Sequence, residues 1–204
     1  MGGTSLAFRR WSAEPEFYRT VIRGTVLDIG AGHDALARLG ASFPLAGPYT
    51  NLDQQPLPTL AAAEWIEGDA TTGLAKLGKR QFDLVYSSHT LEHVWDPTAA
   101  LRGWWDRVKP GGHLLVIVPS WIHYEREIWP PHVNTDHKTA WVMELMPGEA
   151  RPFMRGLLDE ARKLPGEIVR TTLADQGFRP DEVDDQTANG TCECSLELVM
   201  RKAK

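Results

Sequence analysis

The stretch Thr25-Val26-Leu27-Asp28-Ile29-Gly30-Ala31-Gly32-His33-Asp34-Ala35 decides how the chain is read. A β-branched and apolar run leads into two glycines, then into Ala35-Leu36-Ala37-Arg38-Leu39, which reads as a helix. Strand, tight glycine turn and helix form the first half of a nucleotide-binding βαβ unit. Glycine lets the backbone approach a ligand closely, and free N–H groups at a helix start offer that ligand a partly positive surface. Asp28 is the unusual residue. A carboxylate at the carboxyl end of the strand repels a pyrophosphate and attracts a cation, so it points to a positively charged cofactor. The same run also satisfies G-x-G-x-x-G/A, with Asp53 near the ~20-residue spacing of an NAD site. The turn alone leaves both cofactors open.

At 204 residues the chain is long enough to bury a substantial core, and it reads as one domain. Apolar and charged shares of 42% and 24% are those of a soluble globular protein. No apolar run reaches the roughly 18 residues of a membrane span, and no apolar segment follows Arg9-Arg10 as a secretory signal requires. A cytoplasmic location is expected. The formal net charge of −5 argues against a broad nucleic-acid-binding face. Cys192 and Cys194, two apart in what reads as a strand, share a face. That is poor disulfide geometry and too few ligands for zinc, so both read as ordinary thiols.

The organisation follows from punctuation along the chain. Residues 1–24 read as a helical arm, with Pro15 opening a short helix and Gly24 stopping it, packed on the core. Residues 25–119 read as the cofactor-binding core. Its further strands are Tyr49–Asp53, Trp65-Ile66 at the end of an Ala61-to-Ala70 stretch, Gln81–Tyr86 and His113–Pro119. Asp69 suits the N-cap of a helix over Thr71–Leu77. Asp96 and Pro97 suit the start of another, in which Leu101, Trp104, Trp105 and Val108 fall at core spacing before Lys109-Pro110-Gly111-Gly112 ends it. Residues 120–150 read as an acceptor-side loop. In 151–204, helices over Phe153–Leu164 and Glu167–Gln176 precede two strands, Phe178–Gln186 and Cys192–Arg201, around Asn189-Gly190.

Five segments together resemble the class I S-adenosylmethionine-dependent methyltransferases in order and spacing: Val26–Gly32, Asn51-Leu52-Asp53, Glu67-Gly68-Asp69-Ala70, Phe82–Pro97 and Arg107–Gly112. Within the fourth, Ser88-His89-Thr90-Leu91-Glu92-His93-Val94-Trp95-Asp96-Pro97 is very similar to the family's fourth motif. The resemblance covers residues 24–120 and implies an α/β, Rossmann-like, doubly wound seven-stranded sheet. That sheet is mostly parallel, with one antiparallel strand in a C-terminal hairpin. The resemblance also implies the cofactor contacts. Gly30, Ala31 and Gly32 line the methionyl end and Asp28 lies near the ammonium group. Asp53, with Gln54 beside it, binds the ribose, Asp69 and Ala70 face the adenine, and Ser87, Ser88 and His89 pass beneath the sulfonium. An NAD-dependent hydride site would also need its own acid or base, and no Tyr-x-x-x-Lys pair is present.

The acceptor is approached through residues 120–141, which are rich in His, Trp, Asn and Asp. Aromatic faces suit the apolar side of a sugar ring, and the polar groups suit its hydroxyls. The Tyr124-Glu125, Trp129-Pro130 and Asn134-x-Asp136-His137-Lys138 elements loosely resemble small methyltransferases of surface-glycan assembly. Methyl transfer to an alcohol requires an in-line arrangement and a base. His137 with Asp136, His132, or His89 could supply the base, imidazole being the side chain that titrates near neutrality. His93 reads as a capping or packing residue. The spacings of His123, His132, Asp136 and His137 match no standard zinc pattern, so no zinc site is expected, and magnesium held by acidic residues, as the resemblance to some sugar methyltransferases implies, stays open.

Other chemistries lack their residues. Ser87-Ser88-His89-Thr90 stands where an amino-DNA methyltransferase carries an Asn/Asp-Pro-Pro-aromatic element, and neither cysteine is near the site for cytosine C5 attack. The expected activity is O-methylation of a sugar or glycan hydroxyl. Another small metabolite methylated at N, O or carboxylate, or a non-catalytic cofactor-binding protein, are the alternatives.

Overall fold

The structure, a computed structural model, describes residues 3–55, 63–182 and 185–204. Two N-terminal helices, α1 (Gly3–Trp11) and α2 (Pro15–Val21), precede strand β1 (Gly24–Ile29). Strands β2 (Ala46–Asp53), β3 (Ala63–Glu67) and β4 (Phe82–Ser88) follow, then helix α3 (Pro97–Asp106) and strand β5 (Val108–Pro119). Strands β6 (Ala140–Val142) and β7 (Met154–Gly156) pair in a small parallel sheet of their own. A short helix α4 (Leu157–Ala161) leads to strands β8 (Glu167–Ala174) and β9 (Ser195–Arg201).

The main sheet has seven strands in the order β3-β2-β1-β4-β5-β9-β8. The pairs β2–β1, β1–β4 and β4–β5 are parallel, whereas β9 runs antiparallel to both its neighbours. This is the mostly parallel, doubly wound sheet expected from the sequence, with its one reversed strand in the C-terminal pair. Central strands buried on both faces are continuously apolar. Leu114, Leu115, Val116, Ile117 and Val118 of β5 accordingly have no exposed surface. One apolar layer, with Trp104 and Trp105 of α3, covers one face of the sheet. The other, with Trp11, Tyr18 and Ile22, covers the opposite face, so the N-terminal arm does pack on the core. Helix α3 starts as its capping residues dictate, the Asp96 carboxylate accepting from Ala99 N–H at 2.9 Å.

Several local expectations are corrected. Ala35–Leu39 is not an α-helix: 3₁₀ turns occupy Gly32–Asp34 and Leu36–Ser42, and another occupies Thr72–Leu77. Glu167–Ala174 is the edge strand β8 and not a helix, because Ile168, Val169, Thr171 and Thr172 are β-branched and lose rotamer freedom in a helix. The helix expected over Phe153–Leu164 shrinks to α4, after β7. The last hairpin is β8–β9. Residues 178–182 and 185–191 form no strand, with turns at 180–181 and 186–190, while Val183 and Asp184 of the expected strand, like Ala61 and Ala62 of the earlier stretch, lie outside the described residues. Cys192 and Cys194 are free, buried and in the connection before β9, where Cys194 has φ +49°.

Candidate active site

In an open α/β sheet, ligands sit in the crevice outside the carboxyl ends of the strands, where the strand order reverses. Here that point lies between β1 and β4, and it opens into a cleft of about 370 Å³. Gly30, Gly32 and His33 form one wall. Asp53, Gln54, Gly68 and Ala70 form the second, and His89, Thr90, His93 and Asp136 the third. A larger cavity of about 830 Å³, beside Arg23, His113, Gly166 and Arg201, is at the opposite end of the strands, away from the carboxyl ends of the parallel ones.

The glycine turn is built against Thr90. Gly30 has φ +71°, and a Cβ on it would lie 1.9 Å from the Thr90 hydroxyl oxygen. Gly32 has φ +48° with nothing within 4 Å of its Cβ position, so it borders open cleft. Asp53 ties the walls together: its carboxylate accepts from Gly32 N–H at 3.0 Å and Gln55 N–H at 2.8 Å. A carboxylate has about four acceptor positions, which leaves capacity for two ribose hydroxyls. The Gln54 amide donates to Asp69 at 3.2 Å. Asp69 is turned inward, taking the Thr71 hydroxyl and the Thr71 and Thr72 N–H groups, and the Thr71 hydroxyl leads in holding its carboxyl below the ordinary range. Asp69 thus holds the turn ahead of the 3₁₀ segment Thr72–Leu77, whose N-cap is Thr71 and not Asp69 as expected. Ala70 lines the cleft and its carbonyl accepts from the Trp104 indole at 2.8 Å.

Asp28 differs from expectation. It is 1% exposed and does not line the cleft; its carboxylate accepts from Leu36 N–H at 2.7 Å. Burial, reinforced by Asp34 and Asp53 and opposed by that hydrogen bond, pushes its carboxyl up to about 7. It fixes the loop after the glycine turn from behind. No α-helix start backs this loop, which removes the anion site that a pyrophosphate cofactor uses.

The segment after β4 carries the imidazoles. The Ser87 hydroxyl donates to Ile29 C=O at 2.9 Å and is buried below the cleft floor, and Ser88 lies under the start of α1. His89 has φ +52°, a left-handed backbone uncommon outside glycine and concentrated at functional sites. Its Nε2 is 3.2 Å from the Ser195 hydroxyl and its Nδ1 3.6 Å from Glu92. Burial disfavours the charged ring, but Glu92 more than offsets this and raises its pKa above the usual value.

The expected His137–Asp136 pair does not form. His137 is 5% exposed, with Nδ1 on the Glu125 carboxylate. Asp136 instead holds His93 Nδ1 at 3.1 Å and Lys138 at 2.7 Å. Both segments are docked by Lys138 N–H and Thr139 N–H on Glu92 C=O, which buries residue 137 and leaves 136 at the cleft. His132 is exposed and outside the cleft lining. His123 bonds Ser120 at 2.9 Å, so the four residues weighed as a metal cluster are not assembled. Trp121 and Trp129 pack with Phe153 and do not face the cleft. Sequence reasoning missed His93 as a cleft residue and gave Glu92 and Glu125 no role of their own beyond the motifs that contain them; a Leu-Glu-His run gives no sign that its glutamate is fully buried.

A doubly wound sheet with β9 reversed, and a glycine turn facing an acid across the strand ends, define a class I S-adenosylmethionine-dependent methyltransferase. The chain belongs to the family described as "Methyltransferase domain", which matches residues 6–156. It is 30% identical over 141 residues to a ubiquinone biosynthesis O-methyltransferase of Pseudomonas entomophila, a match covering 54% of this chain and 58% of that protein. The chain thus spans little more than half the length of that relative. In fold it is similar to a methyltransferase of Haloferax volcanii solved in complex with the activator Trm112. That likeness has a TM-score of 0.65 and 18% identity over 99% of this chain and 94% of the other. It is also similar to the N-methyltransferase NodS of Bradyrhizobium japonicum with S-adenosylhomocysteine bound, at TM-score 0.59 and 16% identity over 95% and 87%. S-adenosylmethionine is the cofactor. Among the described residues, no helix is long and apolar enough to cross a membrane.

Proposed function

We propose that the chain transfers the methyl group of S-adenosylmethionine to a hydroxyl oxygen of a small polar acceptor, a sugar hydroxyl first among them. The carrying observation is the third wall of the cleft. His89, Thr90, His93 and Asp136 present two imidazoles, a hydroxyl and a carboxylate there, with no aliphatic or aromatic hydrocarbon residue among them. Such a wall offers hydrogen-bond partners to an acceptor bearing several hydroxyls. The cofactor lies along the other two walls, its ribose on Asp53 and Gln54 and its adenine beside Ala70 and Asp69. Gly30 and Gly32 border its methionyl end, whereas Ala31 between them is buried and outside the cleft lining. In the transfer the acceptor oxygen attacks the methyl carbon in line with sulfur. The C–S electron pair passes to sulfur to give S-adenosylhomocysteine, and the hydroxyl proton passes to His89.

The name of the Pseudomonas relative favours a second reading, a hydroxyl on an intermediate of ubiquinone biosynthesis. Methyl transfer from labelled cofactor, scored by mass spectrometry against free sugars, nucleotide sugars and phenolic acceptors, separates the two. Methyl ethers on sugars are expected. Turnover confined to phenols would support the second reading, and methyl on nitrogen or carboxylate would overturn both.

A further inference from the structure

Behind the third wall, Glu92 is fully buried and neither of its carboxylate oxygens has a hydrogen-bond partner. Its nearest polar neighbours are three imidazoles at distances too long for hydrogen bonds: His89 at 3.6 Å, His93 Nε2 at 3.8 Å and His137 Nε2 at 3.9 Å. Glu125, the carboxylate on the far side of His137, is also fully buried and leaves its second oxygen unpaired. Among the described residues the ion-pair partners of both glutamates are histidines alone. Buried carboxylates are costly unless a cation compensates them.

The histidines are arranged for that cation. His137 has its Nδ1 on Glu125, and His93 its Nδ1 on Asp136. A carboxylate at one ring nitrogen fixes the tautomer and ring direction and turns the other nitrogen's lone pair outward, as metal-binding histidines require. In both residues that second nitrogen faces the same Glu92 oxygen. One oxygen and two ring nitrogens thus point toward one another, an arrangement that a shared metal cation would satisfy. One ligand atom from each of Glu92, His93 and His137 lies within 4.8 Å of the others. Ligands at ~2.0–2.1 Å from a tetrahedral ion are ~3.4 Å apart, so small side-chain movements close the set.

We propose that Glu92, His93 and His137 bind a divalent transition-metal ion of the Zn²⁺ class, with Glu125 and Asp136 as positioning residues. Two imidazoles and one carboxylate suit such an ion and leave a coordination position open. His93 is also in the cleft wall, so the proposed site borders the cleft. An ion there would polarise an acceptor hydroxyl as a Lewis acid and ease loss of its proton. This role rests on the hydroxyl-acceptor reading above; metal binding itself does not.

The test is calorimetric titration of the chelator-treated full chain with ZnCl₂, repeated on Glu92→Gln, His137→Ala and Cys192→Ser, with S-adenosylhomocysteine titrated in parallel. We expect one equivalent of zinc in the wild type and in Cys192→Ser. Affinity should fall at least tenfold in Glu92→Gln and His137→Ala, with S-adenosylhomocysteine binding retained as proof of fold. Co²⁺ in place of zinc should give the visible absorption of a low-coordinate site, lost in the same two variants. No stoichiometric zinc in the wild type, or equal affinity in Glu92→Gln, overturns the site. Zinc binding without S-adenosylhomocysteine binding keeps the site and sinks the cofactor assignment. Full methyl transfer by the metal-free chain overturns the role at the acceptor alone.

Discussion

Asp28 carries a pH dependence into the stability of the fold. Its carboxyl stands at about 7 against an ordinary 3.8, raised mainly by burial. The folded state therefore binds this proton more tightly than the unfolded chain does. The stabilisation is complete below about pH 4 and is lost as pH rises through about 7, worth on the order of 2–4 kcal/mol. Asp28→Asn keeps an acceptor for Leu36 N–H and has no proton to lose. Melting curves at about pH 5 and pH 8 should show a smaller drop in Tm for this variant than for the wild type; equal drops would refute the assignment. The two glycines separate packing from ligand approach. Gly30→Ala drives a methyl into Thr90 and should cost at least ~2–3 kcal/mol. Gly32→Ala meets only the left-handed backbone penalty, ~1 kcal/mol, and should fold while losing affinity for S-adenosylhomocysteine. Comparable Tm losses in both would contradict this account of the turn.

At the scale of elements, the N-terminal helices are tied to β9 by one buried carboxylate. Glu197 is fully buried and accepts from Arg10 at 2.8 Å, the Trp11 indole at 2.8 Å and the Tyr18 hydroxyl at 2.7 Å. Arg10 also reaches Glu193 at 3.0 Å. Removing one partner of a buried ionic set costs about 3–5 kcal/mol, because the remaining charge stays buried. Glu197→Gln should lower Tm by roughly 6–15 °C, while Glu16→Gln, at an exposed helix pair, should shift it by less than about 2 °C. Comparable Tm values for the two would show that the network does not hold the arm. None of this was legible in Phe8-Arg9-Arg10-Trp11, since the partners are some 180 residues away. The core strands and α3 were legible because their signals are local: apolar runs, Asp96-Pro97 and periodic tryptophans. Edge strand β8 was not, since its polar, partly exposed alternation competes with a helical pattern over the same length. Asp136 and His137, adjacent in sequence, diverge because Glu92 C=O clamps the backbone just after them.

For the whole molecule, the crevice at the reversal point of the sheet unites the glycine turn, Asp53 and the His89–His93 segment. Segments 20 to 40 residues apart meet there only because β1, β2 and β4 are parallel and adjacent. Gly30, Gly32, Asp53, Gln54 and Ala70 could be read from sequence as cleft residues because they end strands or closely follow them. The pairing of His93, Asp136 and His137 could not, because the path of a long loop sets it. The account stands or falls on Asp53 holding the cofactor in this cleft. The most direct test is calorimetric titration of wild type and Asp53→Ala with S-adenosylhomocysteine, NADH being run alongside. One equivalent should bind the wild type, affinity should fall at least tenfold in Asp53→Ala, and NADH should give no heat. Equal affinity in the two proteins, or binding of NADH in place of S-adenosylhomocysteine, would contradict it.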